Sequence, residues 1–114
     1  MGLQKIEIIT QPSKFEELRL ALSKIKVTGM TVFSVQGCGT QKGIDEIYRG
    51  RKLASTMNEK IKVELVVDDS LVSSIVDTAK QTLTTGKVGD GKIFFYPITN
   101  AIKIRTGEEG SDAV

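Results

Sequence analysis

The stretch 61-IKVELVVDDSLVSSIVDTAKQTL-83 changes its period halfway along. Ile61, Val63, Leu65 and Val67 alternate, which is the period of a strand. Leu71, Ile75, Val76, Ala79 and Leu83 then recur at helical spacing, so they share one face of a helix. Asp68, Asp69 and Ser70 stand between the two patterns, and any of them can cap the helix. After the helix comes a glycine-rich turn at residues 85–92, and Ile93 to Tyr96 reads as another strand. Upstream the same order occurs once more. Residues 5–10 form a strand carrying Ile6, Ile8 and Ile9, and Pro12 ends it. Ser13-Lys14-Phe15-Glu16 fits a capping box, and Phe15, Leu18, Leu22 and Ile25 follow at helical spacing. Val27-Thr28-Gly29 turns the chain into a β-branched strand at residues 30–36.

Two β-α-β halves joined by one long segment predict an α+β, ferredoxin-like βαββαβ sandwich in a single domain, residues 1–114. The joining segment, residues 37–60, is polar, has no sustained apolar period and carries Gly37, Gly39, Gly43 and Gly50. A stretch of that length without pattern inside a small domain is normally functional or disordered. Ile6, Ile8, Val63, Leu65, Val66 and Val67 read as apolar on both sheet faces, which predicts that the face away from the helices is buried in an oligomer. Residues 102–105 read as a short extended piece, and residues 108–114 as a frayed polar tail.

Composition removes several function classes. There is no histidine, which excludes Ser-His-Asp and Cys-His triads, phosphohistidine chemistry and most zinc catalysis. A single cysteine, Cys38, allows no internal disulfide and no cysteine-based zinc site. Sixteen basic against fourteen acidic residues give +2, too near neutral to favour nucleic acid or an anionic membrane as partner. An RNA-binding sheet needs exposed aromatics, whereas Ile6, Ile8, Val63 and Leu65 occupy the central strands. No run approaches the ~20 apolar residues of a membrane span, and the first residues, MGLQKIEIIT, lack a signal-peptide core. The expectation is a cytoplasmic protein with reduced thiols.

The candidate chemistry lies in the glycine loops and basic residues. Gly86-Lys87-Val88-Gly89-Asp90-Gly91-Lys92 nearly fits a phosphate loop, but Ile93 replaces the magnesium-binding hydroxyl. It also leaves a helix and enters a strand, the reverse of a P-loop. Its three glycines and two lysines can still surround an anion; otherwise it is a flexible turn with solvated lysines. Gly37-Cys38-Gly39-Thr40-Gln41-Lys42-Gly43 lets a phosphate approach closely, or is a hinge. Lys103 and Arg105, two apart on an extended piece, point the same way and can clamp a phosphate.

Together these motifs resemble the PII signal-transduction proteins, the GlnB/GlnK family. The resemblance rests on Thr28-Gly29-Met30-Thr31-Val32, Gln41-Lys42-Gly43, Tyr48-Arg49-Gly50, residues 85–94 and Ile104-Arg105-Thr106-Gly107-Glu108. It runs essentially without gaps over residues 5–109. Gly37-Cys38-Gly39 and the lack of a later loop tyrosine look like the members that accompany ammonium transporters in Gram-positive bacteria.

The resemblance implies a homotrimer with a nucleotide site between neighbouring subunits, where ATP and ADP compete. It also implies 2-oxoglutarate bound beside ATP through Mg2+. Residues 37–60 match the T-loop, 85–92 the B-loop and 102–109 the C-terminal loop. By the same match, Thr31 and Val66 lie around the adenine, and Val88, Gly89, Asp90, Gly91 and Lys92 hold the phosphates. Gly37, Cys38, Gly39, Thr40 and Gln41 form the T-loop base, and Lys103 and Arg105 the second basic pair. Gln41 is the implied metal ligand, and Gln41, Lys42 and Lys60 the oxoacid site. Tyr48, Arg49 and Gly50 form the partner-binding tip, with Arg49 entering an ammonium channel. A nitrogen-responsive transcription regulator is the other implied partner, with no direct nucleic-acid binding. The protein would be cytoplasmic and peripheral at the membrane when on the transporter. It would be a regulator and not an enzyme; the alternative is a ferredoxin-like nucleotide-binding enzyme with slow ATPase activity.

The sequence departs from the family pattern at several positions. Thr40 and Lys103 stand where arginines are usual, and Gln11 where a basic residue is usual. Each change lowers positive charge or removes a bidentate fork beside the nucleotide. Leu53 replaces the modified tyrosine, and Arg51 the phosphorylated serine of other members.

Overall fold

The computed structural model describes residues 2–38 and 57–114. The strands are β1 (Leu3–Thr10), β2 (Thr31–Cys38), β3 (Met57–Asp68) and β4 (Lys92–Ile98). Helix α1 (Phe15–Lys24) follows β1, and α2 (Val72–Leu83) follows β3. The sheet order is β2-β3-β1-β4, with β1·β3, β1·β4 and β2·β3 all antiparallel. β1 and β2 therefore run parallel with β3 between them. This is the expected ferredoxin-like interleaving of two β-α-β halves. Among the described residues no helix is long and apolar enough to cross a membrane.

Both helices cover one face. Ile6, Ile8, Val63 and Leu65 meet Leu18 and Leu22 of α1 and Ile75 and Ala79 of α2 in one buried cluster. Each of the Ile, Leu and Val side chains contributes roughly 1.5–3 kcal/mol by leaving water. In α2, Leu83 is buried as the period predicts, but Leu71 is exposed, and Val72 packs against the core. The reason is a 3-10 turn, Asp69–Leu71, that precedes α2 and rotates Leu71 outward. Of the three cap candidates Asp68 takes the role: its carboxylate accepts from the Ser70 amide at 3.0 Å and the Ser70 hydroxyl at 2.7 Å. The Ser13 capping box does not form. The chain enters α1 through a 3-10 turn at Pro12–Lys14, and neither start has a side-chain cap.

The open sheet face corrects a further expectation. The register places Ile6, Ile8, Val63, Leu65 and Val67 together on the helix side, and only Val66 of the six lies on the other. The open face is mixed. Lys5 pairs with Glu64 at 3.0 Å, Lys62 with Glu64 at 3.3 Å, and the Tyr96 hydroxyl donates to Glu7 at 2.8 Å. Lys62 lies 5.0 Å from the centre of the Phe33 ring. The apolar part of this face is instead Phe33, Phe94 and Tyr96, opposite Lys62, Glu7 and Lys5 and exposed in the isolated chain.

The strands are also longer than their apolar patterns. β2 and β3 stay paired out to Cys38 opposite Met57, so Gly37, Cys38 and residues 57–60 are ladder and not loop. Paired backbone groups hold that end. No apolar alternation marks it because no helix covers it. The tail is not frayed either. The Gly110 amide donates to Ala101 O at 3.0 Å, and Asn100 Nδ2 to Glu109 at 2.8 Å.

Candidate functional site

Residues 85–92 join α2 to β4, and the loop is fastened along its length. Thr10, inward-facing at the end of β1, donates its hydroxyl to Asp90 O at 2.9 Å. Gln11 Nε2 and Lys60 Nζ both donate to Gly89 O, at 3.3 and 3.1 Å. The Asp90 carboxylate accepts from the amides of Thr85 at 2.8 Å and Gly86 at 3.0 Å, and from the Thr85 hydroxyl. Those bonds, the Thr85 hydroxyl first, hold its carboxyl below the usual aspartate value. Gly91 has φ +107°, and a Cβ there would fall 1.8 Å from Ile9 O. Only glycine lets the loop backbone lie this close to β1.

This loop walls a cleft of about 560 Å³ whose lining includes Gly37, Cys38, Lys60 and residues 87–92. The structure thus brings Gly37, Cys38, Lys60, Val88, Gly89, Asp90, Gly91 and Lys92 of the expected site residues to the lining of one cleft. The lining also holds Lys87, the first lysine of that glycine loop, and Asn58, which the sequence analysis does not place in the site. Among the described residues, Lys60, Lys87 and Lys92 are its cations, and its one acidic side chain, Asp90, is already engaged by the loop's own donors. Lys87 and Lys92 make no ion pair among the described residues. A cleft with three ammonium groups and no free carboxylate fits a polyanion.

Other expected residues lie elsewhere in the chain. Thr31, opposite Glu64, and Val66, opposite Lys5, are farther along the sheet and outside this cleft. Lys103 and Arg105 are not on an extended piece. Residues 104–106 form a turn closed by Lys103 N to Glu108 O at 2.8 Å and Gly107 N to Lys103 O at 2.7 Å. Lys103 Nζ lies 3.6 Å from a Glu108 carboxylate oxygen. This turn sits past Ile98, whose partner is Leu3, whereas the cleft is at Lys92, opposite Ile9. Seven residues of β4 at about 3.3 Å each separate those ends by roughly 20 Å. Gly39, Thr40, Gln41, Lys42, Tyr48, Arg49 and Gly50 lie outside the described residues.

Thr10 is the anchor that the sequence analysis misses. Its signal is a hydroxyl at the inward position after Ile6 and Ile8, where a polar group needs a partner. Asn58 gives no such signal.

Comparison with known proteins shows the family and the fold. The sequence model described as "Nitrogen regulatory protein P-II" matches residues 3–108. A Bacillus subtilis (strain 168) "Nitrogen regulatory PII-like protein" is 51% identical over 110 residues, 96% of this chain and 95% of the relative. An Escherichia coli (strain K12) "Nitrogen regulatory protein P-II 1" is 46% identical over 112 residues, 98% of this chain and 100% of the relative. Among solved structures, a B. subtilis GlnK-ATP complex has a TM-score of 0.82 at 44% identity, covering 99% of this chain and 96% of that one. Arabidopsis thaliana PII bound to citrate has a TM-score of 0.79 at 34% identity, covering 99% and 92%. A family match over nearly the whole length, with a relative identical at half of the aligned positions, means that this chain belongs to the nitrogen regulatory protein P-II family.

Proposed function

We propose that this chain is a nitrogen-signalling protein that binds ATP or ADP between the subunits of a homotrimer and passes the result to a partner through residues 37–60. The observation that carries the reading is the separation of its two basic clusters. Lys60, Lys87 and Lys92 line the cleft at one end of the sheet, while Lys103 and Arg105 lie on a turn at the other. No single chain brings them to one phosphate group, but a neighbouring copy can. Phe94, Tyr96, Ile102 and Ile104 are exposed in the isolated chain, and the apolar surface they present supports assembly.

The ATP carried by the B. subtilis GlnK neighbour supports a nucleotide in the cleft. Glycine backbone at residues 89–91 and the three lysines are the groups that would hold its phosphates. The citrate carried by the Arabidopsis neighbour supports an oxoacid beside it. Lys60 would pair with a carboxylate of 2-oxoglutarate. Among the described residues no three His, Cys, Asp or Glu side chains cluster to hold a metal. Mg2+ would depend on oxygens of the ligands and of Gln41. Tyr48, Arg49 and Gly50 would contact an ammonium transporter or a nitrogen-responsive transcription regulator. The names of the relatives support regulation as the role, not catalysis.

Titration calorimetry with ATP and ADP, each with and without Mg2+ and 2-oxoglutarate, tests the reading. The expected result is saturable nucleotide binding at three sites per trimer, and oxoacid binding only with ATP and Mg2+. Absence of binding by either nucleotide would overturn it. Sedimentation with transporter-bearing membranes tests the output: ADP-loaded protein should pellet, and ATP with 2-oxoglutarate should release it.

A further inference from the structure

Thr10 is the one polar residue in the buried set among the described residues, at 0% exposure. It continues the inward row of Ile6 and Ile8, where an aliphatic side chain would satisfy packing alone. Its hydroxyl is spent on one acceptor, the Asp90 carbonyl at 2.9 Å. The next residue, Gly91, rests on the same stretch of β1: a Cβ on it would fall 1.8 Å from Ile9 O and 3.0 Å from Thr10 Cα. The Asp90 side chain carries the restraint back to the start of the loop through the Thr85 and Gly86 amides. One hydroxyl in the core thus stands at the root of bonds that span residues 85–91.

We propose that Thr10 is a positioning residue for anion binding: it touches no ligand but holds the loop 85–92 in its binding shape before the ligand arrives. The proposal rests on the nucleotide reading above. A preorganised loop binds more tightly because less ordering is left to be done on binding. Removing the hydroxyl leaves the Asp90 carbonyl without this donor and loosens the loop at its midpoint.

Two substitutions of different size separate this role from packing. Thr10→Val keeps the volume and β-branching and removes the hydroxyl; Thr10→Ala removes both. Thr10→Ser keeps the hydroxyl. In the full-length protein, ATP titrations should show about a tenfold weaker Kd for both Val and Ala, although only Ala lowers the melting temperature through lost packing. Ser should restore affinity to within about twofold of the parent. Hydrogen exchange without nucleotide should be faster in residues 85–91 of the Val protein and unchanged in α1. Unchanged ATP affinity in the Val protein, an equal loss in the Ser protein, or unaltered exchange in the loop would overturn the proposal. A parent protein that binds no ATP would instead overturn the nucleotide reading, and the exchange measurement would still decide whether Thr10 holds the loop.

Discussion

The loop at residues 85–92 and the turn at residues 102–109 cap opposite ends of one sheet and are held in different ways. The first is tied to β1 and β3 by Thr10, Gln11 and Lys60, donors 29 to 80 residues away in sequence. The second is tied mainly to itself: Lys103 bonds Glu108, Gly107 bonds Lys103, and the Thr106 hydroxyl donates to Glu108 at 2.9 Å. Ile104 at its tip is 97% exposed. A loop pinned to the core is complete within one chain. A self-closed turn with a bare apolar tip and an uncovered arginine is suited to completing a neighbour's site. On the proposed inter-subunit reading, the comparison accounts for why one chain would carry two parts of a site that do not meet.

The largest effect expected is at the pinned loop. Gly91→Ala forces a Cβ into Ile9 O and an alanine into positive φ, at a cost of about 3 kcal/mol or more. Nucleotide binding should be lost and the melting temperature lowered; near-normal affinity would mean that the loop need not lie against β1. The corresponding Gly107→Ala meets no atom within 4 Å and bears only its φ of +79°, so it should cost about 1–2 kcal/mol.

Next in size are the cations. Lys92→Ala should weaken ATP at least tenfold, about 1.4 kcal/mol, with the trimer intact. Arg105→Ala should weaken it several-fold, about 1 kcal/mol, without altering the stability of the chain. Mixing subunits of the two variants sharpens the comparison. If the halves come from different chains, some sites in mixed trimers regain both residues, and high-affinity ATP binding should reappear. Mixtures that bind no better than the separate variants would put both residues in the same chain's site.

The smallest effect concerns protons. The Asp90 carboxyl lies below its usual 3.8, held by the Thr85 hydroxyl first and then by the Thr85 amide. A group with a depressed folded value stabilises above the unfolded pKa and loses that contribution as pH falls through the folded one. The brace should therefore be whole above about pH 4 and fail only below it. Unfolding of the parent and of Asp90→Asn at about pH 5 and about pH 3 checks this: their difference should shrink at the lower pH. A constant difference would show that the charge of Asp90 does not matter to the loop.

Local pattern was enough for much of this molecule. Alternation at Ile61, Val63, Leu65 and Val67, and helical spacing at Leu18, Leu22, Ile75, Ala79 and Leu83, reflect a core that one chain buries by itself. Such periods are written into neighbouring residues, so β-α-β order and the glycine loop were legible, and motif order along the chain carried the family. Three things were decided only in three dimensions. Of Ile6, Ile8, Val63, Leu65, Val66 and Val67, Val66 alone faces away from the helices, because register and not apolar content assigns a strand residue its side. Ser13 does not cap α1, because a 3-10 turn at Pro12 supplies the helix start. Lys103 and Arg105 do not lie on an extended piece, because hydrogen bonds between Lys103, Gly107 and Glu108 fold that stretch into a turn. The Thr10–Asp90 bond spans 80 residues. Local spacing carries what neighbours in sequence do to one another, and contacts at that separation exist only after the sheet has been assembled.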